Sequence, residues 1–348
     1  MGGLRPPDGF GATALKPLIA ITMGEPAGVG PEVIARALAE ASIWDACVPV
    51  VLGHTALLNR AARAQSLAVS FVDAEAPSRD TTPNAIPVLD GRRFDASAVT
   101  PGKPSPDTAP AVIAWIESAL RLALEGVVDA ITTGPIDKSV LHRAGFAFPG
   151  HTELLGSLCG VSNPVMMFAS PRLRVFLATI HERLADVPAR LEQVDLVGLI
   201  RLADGSLRRD FGLETPRLAV AALNPHGGEA GMFGDEEARL IGPAVEAARR
   251  EGIDARGPLP ADSLFFHVLR GAYDAVIAMY HDQGLIPLKM DGFMDAVNVT
   301  VGLPIVRTSV DHGTAYDLAG TGRADPSSLV EALRLAALIA TNRAKKAP

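Results

Sequence analysis

A chain of 348 residues, 48% of them hydrophobic, is long enough for one large or two ordinary domains. Charged residues make up 20%, the formal net charge is -7 and there is no long basic block, which argues against nucleic acid or anionic membrane as a partner. Two cysteines, Cys47 and Cys159, without a CxxC pair exclude a disulfide framework and a zinc ribbon and fit a reducing, cytoplasmic compartment.

Residues 1–15 lack the apolar centre of a signal peptide and read as a disordered leader. No run of about 20 apolar residues follows that would span a membrane. The apolar run PLIAIT then leads into GEPAGVGPEV and a helical pattern, the layout of a nucleotide-binding turn. The match fails in detail. Gly28 and Gly30 fit the dinucleotide fingerprint, but Val33 stands where the third glycine belongs, and Pro31 removes an N–H. The next apolar run, VPVVLG, ends without an acid for a ribose hydroxyl. The turn therefore reads as a strand-to-helix corner lining some other cleft.

Further on, apolar runs (AIPVL, VDAITTG, VMMFA, LRVFLATIH, RLAVAALN, YDAVIAMYH and VNVTVGLPIVRTS) alternate with helical patterns such as APAVIAWIESALRLALEG and EEARLIGPAVEAARREG. The alternation predicts an α/β fold with a largely parallel sheet and helices on both faces. The length suggests two lobes. The stretch from about Asp90 to Pro110 is the longest irregular one and leads into a helix near Thr108.

Parallel sheets place ligands at the carboxyl ends of their strands. Three apolar runs end in a histidine: His181, His226 and His281. A lone histidine there is usually structural, but three neutral imidazoles can hold a divalent ion and leave positions open for substrate. His54 and His267 read as structural. Lys289, Asn298 and Arg307 follow on the next segments and suit an anionic group, unless the two cations merely neutralise nearby acids. Asp262 and Asp282 are placed to accept protons or to orient an imidazole. The loop SVDHGTAYDLAGTG, with Gly313, Gly320 and Gly322, permits close backbone approach without saying to what.

GEPAGVGPE, TGPIDK, FPGHTE, LATIH, LNPHGGE, GPLPADSLF, AMYHDQGLIPLK and VNVTVGLPIVRTSVDHGTAYDLAG stand in this order from about Leu18 onward. In these motifs the chain resembles the 4-hydroxythreonine-4-phosphate dehydrogenase family of pyridoxal phosphate biosynthesis. The resemblance implies a fold like that of isocitrate and isopropylmalate dehydrogenases, two α/β/α lobes around a cleft. Residues 16–149 with 306–348 would form the first lobe and 150–305 the second. It implies His181, His226 and His281 as ligands of one divalent ion (zinc, magnesium or cobalt) per active site, and His151, Thr152, Lys289, Asn298 and Arg307 as substrate contacts. Asp311, Gly313, Thr314, Asp317 and Gly320 would lie in the loop that embraces the adenosine part of NAD or NADP. Lys138, Asp262 and Asp282 are the candidates for proton transfer.

A homodimer is implied as well, with the active site at its interface and metal ligands drawn from both chains. The expected reaction is oxidation and decarboxylation of 4-phosphohydroxy-L-threonine to 3-amino-2-oxopropyl phosphate. The motifs fit equally the paralogues that oxidise 4-phospho-D-threonate or 4-phospho-D-erythronate, and HERLADVPARL after His181 departs from other members. A phosphate acetyltransferase-type acyl transferase, which shares the fold but needs no metal, and a catalytically silent metal-binding scaffold are the competing classes.

Overall fold

The computed structural model describes residues 15–89, 94–146, 150–292 and 295–346. Most of the leader and the start of the irregular stretch after Asp90 lie outside them. Residue contacts gather the chain into two compact units. One runs up to Pro164 and resumes over Leu303–Lys345, and the other is Val165–Gly302. These limits differ from the boundaries at 149/150 and 305/306 read from the sequence. The helix His151–Leu158 falls in the first unit, and its preceding Gly150 lies so close to Lys138 that an added Cβ would sit 3.4 Å from Nζ.

In the first unit the strands are β1 (Leu18–Thr22), β2 (Val48–Leu52), β3 (Phe71–Asp73), β4 (Ile86–Leu89), β5 (Ala130–Thr133) and, after the second unit, β12 (Arg307–Ser309). They lie in the order β3-β4-β2-β1-β5-β12 and every pairing is parallel. β1, β4 and β5 are buried along their whole length, as continuous apolar runs in a parallel sheet should be. The helix Ala109–Leu124 packs on β1, β2 and β5 and buries Trp115 completely.

The second unit holds β6 (Val165–Ala169), β7 (Arg174–Leu177), β8 (Arg217–Ala221), β9 (Asp254–Leu259), β10 (Ala275–Ala278) and β11 (Val297–Val301), in the order β11-β6-β7-β10-β8-β9. The β11–β6 and β6–β7 pairings are antiparallel and the rest parallel. Only Ser170–Leu173 joins β6 to β7, too short for the dozen or so residues a parallel crossover needs. A core of Phe168, Val175, Leu177, Ala219, Val276 and Leu285 lies beneath this sheet.

Two sequence runs resolve differently from their first reading. VNVTVGLPIVRTS is two strands, β11 and β12, broken at Gly302, whose φ of +95° no strand tolerates. HDQGLIPLKMD is a helix, His281–Asp291, despite Pro287 inside it. Lys289 is therefore on the same element as His281 rather than on a following segment. Among the described residues no helix is long and apolar enough to cross a membrane.

Candidate active site

The second unit carries the histidines. β7, β10 and β8 are neighbours, and a chain of buried hydrogen bonds ties their carboxyl ends together. Thr179 donates its hydroxyl to the Met279 carbonyl at 2.8 Å. The Met279 N–H donates to Gln283 Oε1 at 2.7 Å, and Gln283 Nε2 donates to the Ala222 carbonyl at 2.6 Å. Beyond these ends the rings of His181 and His281 face each other with centroids 5.9 Å apart. His281 opens its helix, and its Nδ1 pairs with Asp282 Oδ1 at 2.8 Å. A carboxylate on one ring nitrogen fixes the imidazole and leaves the other nitrogen for a ligand.

His226 stands apart. It begins a run of six residues, His226 to Gly231, that all have positive φ. Three of them are not glycine, which marks a strained turn. Its Nδ1 pairs with Glu229 at 3.0 Å and its ring lies edge-on to Phe233. The buried Glu237 carboxylate holds the base of the turn, accepting from the Leu223 and Asn224 N–H groups at 2.8 and 2.7 Å. Among the described residues no three His, Cys, Asp or Glu side chains gather closely enough to hold a metal ion. The donor chemistry suits a divalent cation, but this chain brings two of the three imidazoles together, not three.

Of the other residues read from the sequence in this unit, Asn298 on β11 has a buried Oδ1 without a hydrogen-bond partner among the described residues. Lys289 is half-buried. Asp262 is exposed in the first turn of the helix Ala261–Leu269, which packs against the His226 turn.

The first unit carries a basic cluster. Arg307, on β12, is only 2% exposed and donates to Thr133 Oγ1, at the end of β5, at 2.7 Å. Burial lowers its pKa to about 9, with Glu153 opposing the shift. His151 is held well below the usual imidazole range by burial, then by the charges of Arg307 and Lys138. Its Nε2 is buried and without a hydrogen-bond partner among the described residues. Lys138 begins a short helix capped by Asp137, whose Oδ1 accepts from the Ser139 and Val140 N–H groups. A desolvated imidazole beside two cations, one of them buried, has the chemistry to receive an anion, which would relieve the repulsion.

The same unit brings the two glycine loops together. An added Cβ on Gly28 would lie 2.8 Å from the Thr314 carbonyl oxygen, and one on Gly30 would lie 2.1 Å from that of Met23. Val29 N–H donates to Thr314 O at 3.0 Å. These glycines make room for the chain itself, not for a pyrophosphate. At Gly313 an added Cβ meets nothing within 4 Å, so the open backbone is in the later loop.

Sequence reasoning missed the acids beneath these loops. Glu25 is 2% exposed; burial raises its pKa to about 7, against the hydrogen bond from Ala27 and with help from the Asp137 charge. Tyr316 donates to Asp137 Oδ2 at 2.8 Å. The signal was present in GEPAGVGPE and TGPIDK, where the acids were overlooked in favour of the glycines and the lysine.

Comparison with known proteins adds the following. The sequence profile of the family described as pyridoxal phosphate biosynthetic protein PdxA matches residues 45–336. A 4-hydroxythreonine-4-phosphate dehydrogenase of Geobacter metallireducens is 51% identical over 93% of this chain and 96% of its own length. A protein of Symbiobacterium thermophilum, provisionally named D-threonate 4-phosphate dehydrogenase, is 43% identical over 92% of this chain and 96% of its own. The crystal structure of a 4-hydroxythreonine-4-phosphate dehydrogenase from Klebsiella pneumoniae superposes with a TM-score of 0.85 at 42% identity, covering 94% of this chain and 99% of that one.

Proposed function

The chain belongs to the PdxA family of pyridoxal phosphate biosynthetic proteins, and from that membership we propose that it is an NAD(P)- and divalent-metal-dependent 4-hydroxythreonine-4-phosphate dehydrogenase. It oxidises the hydroxyl of 4-phosphohydroxy-L-threonine, passes the hydride to the nicotinamide, and releases carbon dioxide from the resulting keto acid to leave 3-amino-2-oxopropyl phosphate. The observation that carries the reading is the basic cluster: buried Arg307 and exposed Lys138 both act on the desolvated His151, which suits a receptor for a phosphate monoester.

In this reading Arg307, His151 and Thr152 hold the substrate with Lys289 and Asn298. His181, His226 and His281 are the residues that would hold the ion. When bound, a zinc, magnesium or cobalt ion supplies a Lewis acid for the alkoxide and for the enolate left by decarboxylation. Asp282 keeps the His281 ring oriented, and Lys138, Asp262 and Asp282 are the candidates to take the hydroxyl proton. Asp311, Gly313, Thr314, Asp317 and Gly320 supply the cofactor loop.

A homodimer in the cytoplasm completes the proposal. Leu184, Met232, Phe233, Phe266, Ile286 and Met290 are each at least half exposed and all belong to the unit Val165–Gly302, which supports a partner copy covering that unit. The Symbiobacterium relative favours one second reading, oxidation of 4-phospho-D-threonate.

A kinetic comparison of the two substrates with NAD and with NADP tests the assignment. NADH is expected to form fastest from 4-phosphohydroxy-L-threonine, to stop after exhaustive chelation, and to return on adding back a divalent cation. Undiminished turnover after chelation contradicts the metal role, and faster turnover of the threonate reassigns the substrate.

A further inference from the structure

Glu32 is the last residue of GEPAGVGPE and sits in the first turn of the helix Gly30–Leu38, buried at 7% exposure. Among the described residues its carboxylate does not pair with a cation. Oε1 accepts from the Gly320 N–H and Oε2 from the Gly322 N–H, the latter at 3.1 Å. One turn later Arg36 supplies the complement: Nη1 donates to the carbonyls of Gly322 at 3.3 Å and Ala324 at 2.8 Å. One helix face thus grips both the donors and the acceptors of the segment 320–324. Hydrogen bonds to a charged partner are about twice as strong as neutral ones, more so when water is excluded.

The gripped segment lies outside regular secondary structure. Residues 311–322 form neither helix nor strand, and within the loop two turns hold it, Leu318 and Ala319 donating to Ala315 and Thr321 to Leu318. Its near end is tied by Val29 N–H to Thr314 and by Tyr316 to Asp137. Gly320 and Gly322 have φ of +82° and +67°, so their N–H groups turn toward Glu32 by a path open mainly to glycine. The glycine turn that fails as a pyrophosphate cradle is the mount on which the second glycine loop is held.

We propose that Glu32 and Arg36 are positioning residues for the nucleotide cofactor: they preorganise the 311–322 loop from behind and touch neither cofactor nor substrate. The inference rests on the reading of that loop as the adenosine site. A preorganised loop lowers the ordering cost of binding its ligand and leaves the chemical step alone. Loosening it should therefore raise the KM for NAD at nearly constant kcat.

The experiment compares Glu32→Gln, Arg36→Lys and, as a reporter of the loop itself, Asp317→Ala in the metal-loaded enzyme. It measures kcat, both KM values, NADH affinity by fluorescence and the thermal midpoint. Expected for Glu32→Gln and Arg36→Lys is a roughly tenfold rise in KM for NAD with matching loss of NADH affinity. The substrate KM and kcat should stay within about twofold. If Asp317→Ala weakens NAD binding while neither of the other two does, the positioning role is wrong and the cofactor loop stands. If none of the three affects NAD, the loop assignment is wrong and the inference falls with it. A parallel drop in kcat, in both affinities and in thermal midpoint shows a merely structural clasp and also overturns it.

Discussion

Glu25 shows how one buried acid reports on its surroundings. Its carboxyl faces Asp137, Thr108 and the Ala27 N–H, with Tyr316 beyond Asp137, and no cation is among the causes of its shift. The folded state keeps the proton up to about pH 7, against 4.5 for an ordinary glutamate. Because the folded pKa is raised, the associated stability is complete below pH 4.5 and is lost as pH rises through 7. That window corresponds to about 3 kcal/mol at most. Glu25→Gln keeps an oxygen for Ala27 and removes the titration. Thermal midpoints at pH 5 and pH 8.5 should therefore show the variant gaining on the parent only at the higher pH. An equal difference at both values refutes the assignment.

Arg307 and His151 make the opposite case at the same scale. Their shifts arise mainly from burial, with mutual repulsion adding to that of His151. The sequence could name these residues but not their charge state. His151 read as a substrate contact in GHTE, yet its desolvation depends on how β12 and β5 bring Arg307 and Thr133 beside it.

Among the elements, the alternation of apolar runs was enough to place β1, β2, β5, β8 and β10, since buried parallel strands are continuous apolar stretches. β9 escaped because Asp254, Arg256 and the Gly-Pro pair keep DARGPL from forming an apolar run, and the helix from His281 carries Pro287, a residue that usually interrupts one. The left-handed run from His226 to Gly231 was invisible for another reason: Glu and Ala between glycines give no hint of positive φ.

The glycines were legible as a turn, but their cause lay in packing. Gly30 carries the sharpest consequence. A methyl group there would press on the Met23 carbonyl oxygen at 2.1 Å, and that oxygen and the Gly30 Cα both belong to the backbone of the β1-to-helix corner, which cannot give way. Gly30→Ala should therefore lower stability by about 2–4 kcal/mol in denaturant titration. A loss below about 0.5 kcal/mol, the range of a surface change, means the corner is not packed as described.

At the scale of the whole molecule the residues divide between units. The proposed phosphate receptor and cofactor loop belong to the unit ending at Pro164 and resuming at Leu303, and His181, His226 and His281 to Val165–Gly302. The motifs named the candidate residues but not this division, nor that His181 and His281 form a facing pair without His226. Under the proposed shared site, His181 and His281 would come from one chain and His226 from its partner.

Subunit mixing tests this arrangement most directly. Neither His226→Ala nor His281→Ala should turn over alone. After unfolding and refolding together they should form hybrid dimers in which one site has all three imidazoles, returning about a quarter of the parent rate, because half the dimers are hybrids and half their sites intact. His181→Ala mixed with His281→Ala should return nothing. Recovery in that second mixture, or none in the first although hybrids form, contradicts a cation held by the 181–281 pair of one chain and the 226 imidazole of the other.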